Sequence, residues 1–121
     1  MPAAEHPPPS PAAEWAEHCA ARRLAFQRAP DGTPVWPPRL AQPGTGAPLR
    51  WEVSAGRGEV YATTVVRPRG EAPRHLCLVA LDEGFRMMSA VVDLAPEEVR
   101  IGLRVRVAWR DDGVPVFEAD G

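Results

Sequence analysis

Apolar and polar residues alternate cleanly over residues 103–109: Leu103, Val105, Val107 and Trp109 fall on one side, Arg104, Arg106 and Ala108 on the other. A period of two marks a half-buried strand. Two apolar runs upstream, 74–81 and 85–92, are joined by Asp82-Glu83-Gly84, a hairpin signal. Before them, 50–66 reads as one long strand interrupted by Gly56-Arg57-Gly58, where paired glycines invite a bulge or sharp bend. Pro96-Glu97-Glu98-Val99 predicts a helical turn, and 114–117 supplies a last short strand after the turn Asp111-Asp112-Gly113. Five strands with a helical element between the third and fourth is the order of an OB barrel, so residues 49–119 are expected to form one.

The first third of the chain follows other rules. Residues 1–9 are Pro-rich and predict a disordered or extended leader. Ser10-Pro11 opens a helix, with Ser as N-cap and Pro at the first helical position, over residues 10–25. Trp15 and Cys19 lie four apart on one face and are expected to pack on the rest of the chain or on a partner. Glu14 and His18, also four apart, read as a solvated surface pair. Residues 24–28 form a short strand, and Pro and Gly crowd the stretch that follows, to residue 48.

Composition narrows the chemistry. The 121 residues leave room for one domain with a small appendage, and 45% hydrophobic and 25% charged content is ordinary for a globular chain. A net charge of −2 gives no general attraction to nucleic acid or anionic lipid. Every basic residue other than histidine is Arg, so neither a Schiff-base lysine nor a phosphate-loop lysine can exist. Cys19 and Cys77 stand in separate segments and suggest a reduced, cytoplasmic setting. Residues 1–11 lack the basic start and apolar core of a signal peptide, and no apolar run approaches the ~20 residues of a membrane span. None of the three serines sits in a nucleophile elbow. No catalytic constellation is expected.

The stretch 26–48 has the frame of a zinc ribbon without its ligands. Two Cys-x-x-Cys knuckles would put Cys at 29, 32, 42 and 45, where Ala29, Gly32, Gln42 and Thr45 stand. Gln27-Arg28 precedes the first knuckle and Pro37-Pro38-Arg39 the second. This frame resembles the small acyl-CoA-associated family that joins a rubredoxin-like zinc ribbon to an OB-fold. Further on, residues 51–61, 81–89, 101–105 and 114–117 are similar to that family's barrel strands in order and spacing. The resemblance implies a non-catalytic accessory subunit of an acyl-CoA enzyme, thiolase-like or aldolase, with acyl-CoA handled through the complex. Without ligands, the roughly 10–16 kcal/mol that a structural zinc supplies is absent. Residues 29–48 are then expected to be held by Trp36 and Leu40, held by a partner, or loose.

Two sets of residues are the candidates for function. Arg57, Arg67, Arg69, Arg74, Arg104 and Arg106 could bind the phosphates of CoA through forked hydrogen bonds; the competing reading is a solvated strand face and a charged loop. Trp15, Trp36, Pro37, Pro38 and Arg39 are the candidate partner-docking surface. Deletion of residues 1–48 is expected to leave a folded barrel that no longer docks. His75 and Cys77 share a strand face and read as packing. Met87-Met88 reads as core filling, with a flexible acyl contact as the alternative. A single-stranded nucleic-acid reading would require a positive groove lined with stacking aromatics, against 7% aromatic residues and a negative net charge.

Overall fold

The computed structural model describes residues 9–120, so nearly all of the Pro-rich leader lies outside the described residues. Helix α1 (Pro11–Ala20) precedes three strands, β1 (Ala25–Arg28), β2 (Pro34–Val35) and β3 (Arg50–Val53). The remainder is β4 (Arg57–Val66), β5 (Arg74–Leu81), β6 (Arg86–Ser89), a 3-10 turn (Pro96–Glu98), β7 (Arg104–Trp109) and β8 (Pro115–Ala119). The first three strands form one sheet, ordered β2-β1-β3; the other five form a second, ordered β6-β5-β4-β7-β8. Among the described residues no helix is long and apolar enough to cross a membrane.

α1 starts as expected: the Ser10 side chain accepts from the Ala13 N–H at 3.1 Å. It stops at Ala20 rather than near 25, because Arg22 adopts φ 60° and reverses the chain. The Arg23 N–H then reaches back to the His18 carbonyl at 2.9 Å, closing the last turn. This left-handed arginine has its own support, since its guanidinium donates to the carbonyls of Cys19 and Asp111.

The run 50–66 is not one strand. β3 pairs with β1 along Ala25–Val53 to Arg28–Arg50, whereas β4 pairs with β5 and β7. The break lies at Ser54–Gly56, where Glu83 from the β5–β6 hairpin accepts from the Ser54 hydroxyl at 2.7 Å and the Ala55 N–H at 2.8 Å. Gly56 turns the chain at φ 75°. Gly58 has a different duty: a Cβ there would run into the Ala80 carbonyl on the neighbouring strand. The bulge in β4 falls later, between Val60 and Ala62.

The five-stranded sheet has the order of an OB-fold, but its ladder does not close into the expected barrel. The edges β6 and β8 are joined by no regular ladder: a parallel bridge, Val91 to Phe117, lies just beyond the end of β6, and the Ser89 hydroxyl donates to the Pro115 carbonyl at 3.2 Å. Two backbone hydrogen bonds, Val92 N–H to Phe117 and Phe117 N–H to Ala90, make that seam. Regular pairing of β6 stops at Ser89, which leaves too little strand for a continuous ladder.

Both sheets share one core. Leu24 and Phe26 are buried in the same cluster as Val60, Val79, Phe85, Val105 and Phe117. A line of rings runs through it: Trp15 meets Trp36 edge-on at 5.8 Å, Trp36 stacks on Phe85 at 5.2 Å, and Phe85 stacks on Phe26 at 4.8 Å. The helix, the ribbon segment and the hairpin are thereby packed together. This packing argues against the expectation that the chain without residues 1–48 remains a folded barrel.

Candidate functional site

The ribbon segment is closed by its own backbone. In the first turn the Gly32 N–H donates to Ala29 and the Ala29 N–H to Thr33, both at 2.9 Å. In the second, the Gly46 N–H donates to Gln42 and the Gln42 N–H to Ala47, also at 2.9 Å. Gly32 in the first turn and both Gly44 and Gly46 in the second are left-handed, at φ 90°, 86° and 70°. The first turn is one residue shorter than the second. Asp31 stands before Gly32, whose N–H closes the first turn, as Thr45 stands before Gly46, whose N–H closes the second, so turn geometry matches Asp31 with Thr45. The four places thus hold Ala29, Asp31, Gln42 and Thr45, a donor set that does not fit zinc. Among the described residues no three His, Cys, Asp or Glu side chains gather as a metal would need.

The motif residues around these turns have a structural explanation. Gln27 is 5% exposed. Its amide accepts from the Arg39 N–H at 2.7 Å and donates to the Arg39 carbonyl at 2.8 Å. Gln27 therefore fastens the entry to the second turn onto β1. Arg28 donates to the Gly32 carbonyl at 2.8 Å and pairs with Glu52 at 3.1 Å, holding the first turn to β3. Trp36 packs between the helix and the core, as expected, but Leu40 does not: it is 86% exposed. Two shallow clefts flank Trp36, one of about 340 Å³ shared with Gly84 and Arg86, one of about 250 Å³ bounded by Arg39, Gln42 and Pro43.

The candidate docking residues divide accordingly. Trp15 and Trp36 face each other and the core. Pro37 and Arg39 are exposed, Pro38 is half-buried, and Leu40 projects beside them.

The six candidate arginines do not converge. Arg57, Arg104 and Arg106 share one face of β4 and β7, but carboxylates occupy it too. Arg104 makes a two-pronged pair with Asp82 at 2.8 and 3.0 Å, and Arg106 pairs with Glu118 at 2.8 Å and Asp120 at 3.6 Å. Arg57 reaches Asp120 at 4.0 Å. The hydrogen bond from Arg104 holds the Asp82 carboxyl below its usual range. Arg67, Arg69 and Arg74 lie at the far end of the β4–β5 hairpin, where Val66 opposes Arg74. Arg67 pairs with Glu97 and Arg74 with Glu71, each at 3.6 Å. Nine residues of strand, about 30 Å at the usual rise, separate the two groups.

The potential nucleophiles are quiet. Burial pushes the Cys77 thiol up to about 11 and raises that of Cys19 as well. His75 faces the same side as Cys77, as the alternation predicts; Thr63 lies 3.3 Å from its Nδ1, and burial lowers its pKa. Its Nε2 is buried without a hydrogen-bond partner among the described residues. Trp51 donates to Glu14 at 2.6 Å, and Trp109 packs on the core beneath Arg22.

One apolar surface lies where the sequence offered a contact surface only as the alternative reading of Met87-Met88. The outer face of β4, β5 and β6 carries an apolar depression of about 210 Å³, lined by Ala62, Thr64, Leu76, Leu78 and Met88. It continues into a second of about 200 Å³ that reaches Val114 and Val116. Met88 is 67% exposed, while Met87 is buried. Core filling is therefore right for Met87 and wrong for Met88. Strand alternation sends neighbouring residues to opposite faces, and that signal was present in the sequence.

Residues 51–110 match the family described as ChsH2, C-terminal OB-fold domain. A DUF35 domain-containing scaffold protein of Pyrococcus furiosus is 30% identical over 113 residues, covering 88% of this chain and 82% of the relative. A probable enoyl-CoA hydratase alpha subunit of Thermomonospora curvata is 35% identical over 114 residues, but this chain spans only 35% of its length. Among solved structures, a chain of an Ltp2-ChsH2(DUF35) aldolase superposes with a TM-score of 0.79 at 31% identity. That match covers 94% of this chain and 98% of the other.

Proposed function

The chain belongs to the DUF35 family of OB-fold proteins, and from that premise we propose that it is a non-catalytic accessory subunit of an acyl-CoA-processing enzyme. The end-to-end likeness to a DUF35 chain solved within an aldolase carries this reading. The chemistry of the chain agrees with it. Its cysteines are buried thiols of raised pKa, its histidine at 75 is half-buried in a strand, and most of its exposed arginines lie against carboxylates. A thiolase-like acyltransferase or an aldolase is the partner class, in a cytoplasmic setting. Where CoA phosphates touch this chain, the loop bearing Arg67, Arg69 and Arg74 is the better candidate of the two arginine groups. The face holding Arg57, Arg104 and Arg106 is already balanced by Glu59, Asp82, Glu118 and Asp120. The same balance, with Trp51 and Trp109 engaged inside the chain, weighs against a single-stranded nucleic-acid surface.

We assign docking to the segment that leads into the second ribbon turn, where Pro37, Arg39 and Leu40 project beside a backbone gripped by Gln27. An exposed leucine on such a segment has the character of a binding anchor. The test is sedimentation of the full chain with its acyl-CoA enzyme subunit. Leu40→Asp is expected to weaken the complex about 30-fold, the effect of losing roughly 2 kcal/mol at an anchor, with Met88→Asp close to wild type. Loss with Met88→Asp and not with Leu40→Asp would transfer docking to the outer face of the sheet.

A further inference from the structure

We infer that the ribbon of this chain has replaced metal with a hydrogen-bonded cross-link between its two turns, with the Gln42 amide as its centre. This goes beyond the accessory-subunit reading and does not depend on it.

Zinc in a structural site takes four nitrogen or sulfur donors in a tetrahedron. Ala29, Asp31, Gln42 and Thr45 offer a methyl, a carboxylate, an amide and a hydroxyl. The three polar side chains nevertheless meet. Gln42 Nε2 donates to Asp31 Oδ2 at 3.5 Å, across the gap between the turns. The Thr45 hydroxyl donates to Gln42 Oε1 at 2.8 Å. Both partners of Gln42 also close their own turns: Asp31 Oδ1 accepts from the Thr33 N–H at 3.0 Å, and Thr45 Oγ1 from the Ala47 N–H at 3.2 Å. Such side-chain to backbone bonds are the ordinary means by which Asp and Thr stabilise turns.

The shortened first turn belongs to the same arrangement, because it moves Asp31 into the place of the second ligand, facing Gln42. The bond at 3.5 Å is long and exposed, so it does not hold the turns by itself. The buried clamp of Gln27 on Arg39 fixes the approach of the second turn, and Trp36 anchors the segment between them. The cross-link then restricts the remaining opening of the two tips. A ribbon held this way is indifferent to chelators and to thiol oxidants, unlike one held by thiolates.

The test uses the full chain, purified without added metal. Three measurements are made: elemental analysis, melting with and without EDTA, and amide hydrogen exchange across residues 29–47 for wild type, Gln42→Ala and Gln42→Glu. Metal is expected well below one equivalent, and EDTA is expected to move the melting point by less than about 1 °C. Both variants should speed exchange in 29–47 by about fivefold or more, with residues 74–89 unchanged as the internal reference. Gln42→Glu should be the faster, since it sets a carboxylate against Asp31. About one zinc per chain would overturn the inference. So would unchanged exchange at residues 29–47 in both variants.

Discussion

Gln27 shows how a motif residue acquires meaning only in three dimensions. In the sequence, Gln27-Arg28 and Pro37-Pro38-Arg39 are two fragments that frame missing cysteines; in the fold, the Gln27 side chain grips the backbone of Arg39. Nothing in the spacing of twelve residues announces that clamp, because a side chain to backbone bond leaves no mark on the partner's identity. Cys77 is the opposite case. Its place in an alternating strand reads as packing, and burial bears this out with a thiol pushed up to about 11 from an ordinary 9.0. The unfolded thiol ionises near 9, while the folded one keeps its proton until about 11. The folded state therefore binds more protons across that window, and stability falls as pH rises through it. Denaturant unfolding between pH 8 and 11 should reveal a loss approaching about 2 kcal/mol that Cys77→Ser diminishes.

Among the elements, the strands that alternate with polar faces were legible: 74–81 and 103–109 appear as β5 and β7 within a residue or so of their expected ends. The elements set by tertiary partners were not. The helix stops early because Arg22 reverses the chain, and its stabilising contact at Asp111 lies 89 residues away. The run 50–66 divides because Glu83, on a hairpin far along the chain, binds the backbone of Ala55 and the hydroxyl of Ser54. The candidate site was legible to a similar degree. The ribbon frame and the packing of Trp36 could be read, but Leu40 faces outward and Met88 opens an apolar surface. The sharing of the core has a direct consequence. A chain beginning at residue 49 loses Leu24, Phe26 and Trp36 from around Phe85. It should give no cooperative thermal transition. A cooperative melt from the 49–121 fragment would mean that the five-stranded sheet stands without the ribbon.

At the scale of the whole molecule, this is a DUF35 chain whose ribbon and OB-type sheet make one packed body. It presents an exposed leucine at position 40 and an apolar outer sheet face. We propose that such a body works as part of an acyl-CoA enzyme. The most direct test is affinity capture of the tagged full chain from its own cells, followed by size-exclusion chromatography and mass spectrometry of the co-eluting peak. A stoichiometric thiolase-like or aldolase subunit is expected in that peak, with acyl-CoA turned over only in the fractions that contain it. A chain that elutes alone, elutes with nucleic acid, or turns over acyl-CoA by itself would contradict the claim.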